Sequence, residues 1–242
     1  LGVCPDQLLK FLKEETQLKE GRCFHKTSAK FINSCIAVHI FGNSCRILEL
    51  RKICLDYNIP LIEDAAESLG TYVNGQHTGT FGTAGILSFN GNKTITTGGG
   101  GILITNITAL AEKAKHLSTT AKVPHKYEFI HDQAGFNFRM PNLNAALGCA
   151  QIEHLPKILN DKKLLRKSYE QLINTLAGEV KMIQPVLDSE PNYWLNAIEF
   201  KTKEQRDSFL EKTNATGIQT RPLWKPMHLL PPVSYTHLTL PT

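Results

Sequence analysis

Lys93 stands where an apolar run, Ile86 to Phe89, opens into the polar turn Asn90-Gly91-Asn92. Four glycines, Gly98 to Gly101, separate it from a second apolar run, Ile102 to Thr105. A lysine in this setting is either an exposed hairpin lysine beside a flexible loop or an amine in a pocket where side-chain-free backbone approaches a flat ligand. Burial disfavours the ammonium form, so the second arrangement suits an amine that forms a Schiff base. A phosphate-loop reading of Gly91-Asn92-Lys93-Thr94 fails, because the Walker pattern needs glycine directly before the lysine and Asn92 stands there. Upstream, the run from Ile59 to Ile62 ends in Glu63 and Asp64 and continues through small residues to Gly70. Carboxylates at the carboxyl end of a strand lie where α/β sheets bind ligands. Capping a following helix is their competing use.

The elements that must position these groups repeat as helix followed by buried strand, which argues an α/β sheet covered on both faces. Pro5 to Glu15 reads as an amphipathic helix with Leu8, Leu9 and Leu12 inward, Cys35 to Ile40 as a strand, Arg46 to Tyr57 as a helix and Ile59 to Ile62 as the next strand. Gln17 to Lys30 reads as polar and turn-like, and Tyr72-Val73-Asn74-Gly75 as a hairpin turn. Helices are expected over Thr108 to Leu117, Pro141 to His154 and Leu155 to Leu176. Val180 to Ile183, Trp194 to Phe200 and Gly217 to Thr220 read as strands, with a helix from Lys203 to Lys212. That order suggests a second, smaller α+β unit from about residue 156.

Composition narrows the class. The chain has 242 residues, 41% hydrophobic and 20% charged, with a formal net charge of +5. The basic residues are scattered except from Lys157 to Lys167, where they alternate with an apolar face as a solvated helix does; nucleic-acid binding wants a concentrated patch. No apolar run reaches the ~18 residues of a membrane span. None of the six cysteines forms a C-x-x-C pair, so zinc is not expected and free thiols are.

Taken in order, Asp64-Ala-Ala-Glu67, Gly79-Thr-Phe-Gly82, Ser88-Phe-Asn-Gly-Asn-Lys93 and Thr96-Thr-Gly-Gly-Gly-Gly101 resemble the DegT-type nucleotide-sugar aminotransferases, pyridoxal-phosphate (PLP) enzymes of fold type I. With Gly135-Phe-Asn-Phe-Arg139 and Pro141-Asn-Leu-Asn-Ala-Ala-Leu-Gly148, the wording is most similar to the legionaminic-acid pathway branch. The resemblance runs from Leu1 to about Pro232. It implies an incomplete large PLP-binding domain, residues 1–155, with a mixed, mostly parallel sheet, and a partial small α+β domain, residues 156–232.

The resemblance also implies roles. Lys93 binds PLP covalently and then shuttles a proton; Asp64 faces the pyridine nitrogen and keeps it protonated. Glu67 occupies the place where many relatives carry glutamine near the ring hydroxyl, and Ser88 bonds the phosphate. Asn137 reaches the phosphate of a neighbouring subunit, so a homodimer shares each site. Arg221 and His228 lie where relatives approach the sugar nucleotide. The implied enzyme is cytoplasmic and moves an amino group, with glutamate as expected donor, to the 4-keto carbon of a UDP-linked 6-deoxy amino sugar. Two alternatives remain: a PLP-dependent sugar dehydratase of the same fold, whose members carry histidine in place of Lys93, and a non-catalytic PLP-fold binding or regulatory protein.

Measured against the family, the chain is expected to start partway through the large domain, after the turn that cradles the PLP phosphate, and to stop inside the small one. Alone it is expected to be inactive. Residues 233–242 do not resemble the family; their back-translation resembles read-through into a transposon-type sequencing adapter, so a non-native tail is expected there.

Overall fold

The computed structural model describes residues 2–176, 178 and 180–231. The expected tail, residues 233–242, lies outside the described residues. In chain order, helix α1 (Pro5–Glu15) is followed by strands β1 (Thr16–Lys19), β2 (Arg22–His25), β3 (Lys30–Phe31) and β4 (Cys35–Val38), then α2 (Ile47–Asp56). Next come β5 (Leu61–Asp64), β6 (Tyr72–Val73), β7 (Gln76–His77), β8 (Ala84–Ser88) and β9 (Gly101–Ile104). Helix α3 (Thr108–Ser118), the short strands β10 (Lys122–Val123) and β11 (Ile130–His131), and helices α4 (Asn142–Glu153) and α5 (Leu155–Asn174) follow. The described chain closes with β12 (Val180–Met182), β13 (Ser189–Glu190), β14 (Ile198–Phe200) and α6 (Lys203–Ala215).

The central sheet has the order β4-β5-β8-β9. The first three strands are parallel and β9 runs antiparallel to β8, the mixed, mostly parallel sheet that the sequence implies. Register puts Val38, Asp64 and Ile86 side by side, and Ala37, Glu63 and Gly85 one step earlier on the opposite face. The second of these faces is closed by α2. Ala37, Leu61, Ile47, Leu50, Ile53 and Cys54 form one core with Leu12 of α1. α1 coincides with its expected span: proline opens it and Leu12 is its inward anchor. The opposite face is open, with Ile36 57%, Ile86 38% and Leu103 46% exposed. A sheet covered on both faces was the expectation; among the described residues it is covered on one.

Several local expectations change. Gln17 to Lys30 is an antiparallel meander, because the alternation that buries Cys23 also lets Phe24 and Phe31 meet edge to face at 5.3 Å. The strand expected from Ile59 starts at Leu61, since Pro60 has no N–H to donate and contributes only its carbonyl, to the Cys35 amide. Gly217 to Thr220 is not a strand; the Thr220 hydroxyl instead bonds Thr213 Oγ1 at 2.6 Å, at the end of α6. The hairpin at Asn74-Gly75 forms as expected, with left-handed φ of 48° and 75° at its two turn residues.

The chain divides into two compact units. Of the described residues, one contains those through Thr175 together with Met182–Ala197; the other contains those between Leu176 and Lys181 and from Ile198 to Pro231. The division differs from the expected break at residue 156, because α5 packs with the first unit. Its Leu155 and Ile158 lie against the core of Ala65, Leu87, Phe89 and Ile95, and its buried Arg166 donates to the Ile183 carbonyl at 2.9 Å. The second unit holds β14, the first two residues of β12 and α6, with Phe200 and Phe209 in ring contact at 5.0 Å.

Candidate active site

Asp64 ends β5, flanked by Val38 and Ile86 in a parallel trio, so its side chain leaves the sheet at the carboxyl ends of three strands. Its backbone carbonyl accepts the His39 N–H at 3.0 Å and the next amide, Ala65, donates to Ile86, which locks the strand end on both sides. Oδ1 accepts the Ala66 N–H at 3.1 Å. That is a local turn; the capping of a following helix considered from sequence does not occur, because no helix follows directly and residues 66–67 and 69–70 are turns. Ser88, which ends β8, shares this sheet face two residues beyond Ile86, and its Oγ accepts a long 3.4 Å bond from Asn90 N–H.

Glu63 behaves in the opposite way. Its carboxylate is fully buried and takes a bond at 3.0 Å from the His39 ring Nε2, with Gly79, Phe81 and Gly82 amides at 2.7, 2.6 and 2.7 Å. Burial pushes its pKa up, but the His39 ring and the Gly79 and Gly82 amides outweigh that and hold it below the usual 4.5. His39 Nδ1 accepts from the Cys45 amide, so Nε2 carries the proton donated to Glu63. The Gly79-to-Gly82 motif is thereby tied to the strand.

Lys93 follows a tight turn closed by its own amide on the Asn90 carbonyl at 3.1 Å. Its Nζ lies 3.8 Å from Glu67 Oε1, the two side chains being 15% and 13% exposed, and 4.5 Å from the centre of the Trp194 ring. Glu67 Oε2 accepts the Phe41 N–H at 2.7 Å, and Phe41 holds a left-handed backbone (φ 60°). Burial raises the Glu67 pKa; the Phe41 amide and Lys93 oppose this, and the nearby Asp64 charge adds to it. Asp64, Glu67 and Lys93 therefore form one charged group on the open side of the sheet. Of the glycines, Gly101 is required by packing: a Cβ there would lie 2.5 Å from the Leu87 carbonyl oxygen. Gly99, by contrast, faces open space. The glycine run is thus partly strand pairing and partly room beside the lysine.

The remaining expected residues lie elsewhere. Asn137 is exposed, pairs with Thr119 as an isolated bridge and accepts the Arg139 Nε–H at 3.2 Å; it has no bond to Asp64, Ser88 or Lys93 among the described residues. Arg221, in the second unit, is exposed and donates to Asn214 Oδ1 and the Thr220 carbonyl at 2.8 and 2.7 Å. The His228 side chain lies outside what is described.

Sequence reasoning missed Asn192 and Trp194. Asn192 is buried, and its amide donates to the Glu67 and Leu69 carbonyls at 2.8 and 2.9 Å and to Thr94 Oγ1 at 3.2 Å. Its Oδ1 accepts the Trp194 N–H at 2.8 Å, and its backbone amide donates to Thr71 Oγ1 at 3.0 Å. The strand expected from Trp194 begins only at Ile198, because Asn192 to Trp194 makes a turn that fastens Glu67 to the Lys93 loop. Gly42 belongs to the same knot: a Cβ there would fall 1.8 Å from Asn192 Oδ1.

This arrangement has counterparts among known proteins. The DegT/DnrJ/EryC1/StrS aminotransferase family matches residues 25–241, a span that reaches into residues 233–241, which were expected to lie outside the resemblance. GDP-perosamine synthase of Vibrio cholerae is 37% identical over 214 residues, 86% of this chain and 56% of that protein. UDP-4-amino-4,6-dideoxy-N-acetyl-beta-L-altrosamine transaminase of Helicobacter pylori is 24% identical over 80% of this chain and 52% of its own length. The chain thus spans about half the length of the curated relatives it matches. The structure of Helicobacter pylori PseC superposes with a TM-score of 0.79 at 23% identity, over 87% of this chain and 57% of that one. A DegT DnrJ EryC1 StrS aminotransferase from Brucella abortus gives 0.80 at 22%, over 97% and 59%. The fold is that of fold type I PLP-dependent transferases. With residues 25–241 matched, the chain belongs to the DegT/DnrJ/EryC1/StrS aminotransferase family.

Proposed function

We propose that the protein carrying this chain is a PLP-dependent aminotransferase of nucleotide sugars. The observation that supports it most is the half-enclosed amine of Lys93, 3.8 Å from Glu67, whose carboxylate also feels the charge of Asp64 at the carboxyl ends of parallel strands. The residues fit PLP chemically: Asp64 offers an anion for a protonated pyridine nitrogen, Ser88 a hydroxyl for the phosphate, and Lys93 an amine for the aldehyde. PLP supplies the electron sink.

The chain's own groups do the rest. Asp64 would keep a proton on the ring nitrogen, and strand hydrogen bonds fix its backbone on both sides. Lys93 would hold PLP through Nζ, and that nitrogen, once free, would carry a proton as base and then acid. Glu67 orients that amine while its other oxygen stays on the Phe41 amide. Asn137 serves the site of a second copy in a cytoplasmic homodimer, and Arg221 and His228 lie on the sugar side.

The substrate we propose is a UDP-linked 4-keto-6-deoxy amino sugar with glutamate as donor, supported by the motifs around Lys93 and from Gly135 to Gly148. GDP-linked sugars are the competitors, because relatives named GDP-perosamine synthase share 34–37% identity with this chain. The complete reading frame that carries this chain, given 15N-glutamate and a panel of UDP- and GDP-linked 4-keto-6-deoxy sugars, should place 15N on the sugar. Loss of oxygen without nitrogen gain would make it a dehydratase and overturn the assignment.

A further inference from the structure

The segment from Asn192 to Leu195 is tied more heavily than packing in a loop requires. Trp194 is buried, its indole N–H donates to the Asn92 carbonyl at 2.7 Å, and its ring face lies 4.5 Å from the Lys93 ammonium. Asn92 is the residue directly before the lysine. The Trp194 carbonyl is held from α5 by Lys162 Nζ at 3.1 Å, and the Leu195 amide reaches the Phe41 carbonyl at 3.3 Å. Tyr193 between them keeps a left-handed backbone (φ 50°), with the buried Arg166 guanidinium 5.4 Å from its ring centre. Two left-handed non-glycine residues, Phe41 and Tyr193, thus flank one lysine, and such strain persists only where the surroundings enforce it.

The geometry points to Trp194 as a positioning residue for Lys93. Its N–H fixes the peptide that sets the direction of the lysine side chain, and its ring face, with Glu67, confines Nζ to one place. This rests on Lys93 being the PLP-binding lysine. A ring over a cation and a bond to the preceding carbonyl together limit how far Nζ wanders, so removing both slows the covalent capture of an aldehyde more than it weakens the fold. In that capture Nζ, as the free amine after its ammonium proton passes to water, attacks the aldehyde carbon, and the aldehyde oxygen leaves as water; borohydride then delivers hydride to the resulting carbon and water protonates the nitrogen.

The test is the rate at which Lys93 becomes fixed to PLP in the complete protein, stopped with borohydride at timed intervals and read by peptide mass spectrometry. Trp194→Leu should slow fixation by about tenfold and Trp194→Phe, which keeps a ring face but no N–H, by about two- to threefold. A Leu50→Ala variant in the remote core, destabilised thermally to a similar degree, should fix PLP at the wild-type rate. Equal slowing in Trp194→Leu and Leu50→Ala, or no slowing in either Trp194 variant, would overturn the inference. Should the leucine variant not fold, the phenylalanine variant against the same control decides. Wild-type protein fixing PLP at a different lysine would instead overturn the reading of Lys93, a separable result.

Discussion

Glu63 and Asp64 are neighbours in sequence but project from opposite faces of the central sheet, and the two faces do different work. The closed face spends its polar groups on structure: Glu63 is fully buried and bonded to His39 and to three amides of the Gly79-to-Gly82 turn. The open face leaves its polar groups with few bonds: among the described residues Asp64 Oδ1 accepts one local amide, and Lys93 Nζ meets Glu67 and a tryptophan ring. A carboxylate whose bonds are all internal is part of the scaffold. One held at its backbone with its charge still accessible can serve chemistry.

The sharpest way to break this contrast is to truncate each acid in turn. Glu63→Ala strands a histidine N–H and three backbone amides without an acceptor and should lower unfolding free energy by about 3–5 kcal/mol in urea titration. Asp64→Ala should cost under about 1 kcal/mol while abolishing amino transfer in the complete protein. Equal stability losses would mean that both acids are scaffold.

A second comparison needs no charge. Leu50→Ala, in the closed core, should cost about 2–5 kcal/mol. Ile36→Ala on the open face should stay within about 1 kcal/mol in this 242-residue chain. A large loss at Ile36 would show that the open face is covered.

Acid titration gives the smallest effect and separates the two glutamates by sign. Glu63 has a folded-state pKa below 4.5, so its stabilisation is present above 4.5 and is lost as pH falls through the lower folded value. Glu67 is raised, so its contribution is complete below 4.5 and is lost as pH rises through the folded value. Melting temperatures across about pH 3 to 8 should show Glu63→Gln blunting acid destabilisation. In the same series Glu67→Gln should gain on wild type only above 4.5. Parallel curves for the two variants would contradict the assignment of opposite environments.

Much of this was legible where the signal was local. The apolar runs before Lys93 and after the glycines became β8 and β9, Pro5 to Glu15 became α1, and Asn74-Gly75 made its hairpin, because each is set by neighbours within a few residues. Asp64, Glu67 and Lys93 were found by their motifs and do come together. The different fates of Glu63 and Asp64 were not legible, since which acid is buried depends on the register of β5 between β4 and β8 and on a turn reached only at residue 79. Asn192 and Trp194 were invisible for a related reason: the groups that tie them to the site, at Gly42, Glu67, Asn92 and Thr94, are about a hundred residues or more distant, and Trp194 to Phe200 carries a strand's composition. Contacts of such range leave no periodicity to read.

The central claim is that the half-enclosed amine of Lys93 is the one that takes the cofactor. The complete protein, loaded with PLP, reduced with borohydride, digested and analysed by mass spectrometry, addresses it directly. The account predicts a single pyridoxyl group on the peptide containing Lys93, and none in a Lys93→Ala variant that still folds. A pyridoxyl group on another lysine, or undiminished labelling of the Lys93→Ala protein, would contradict it.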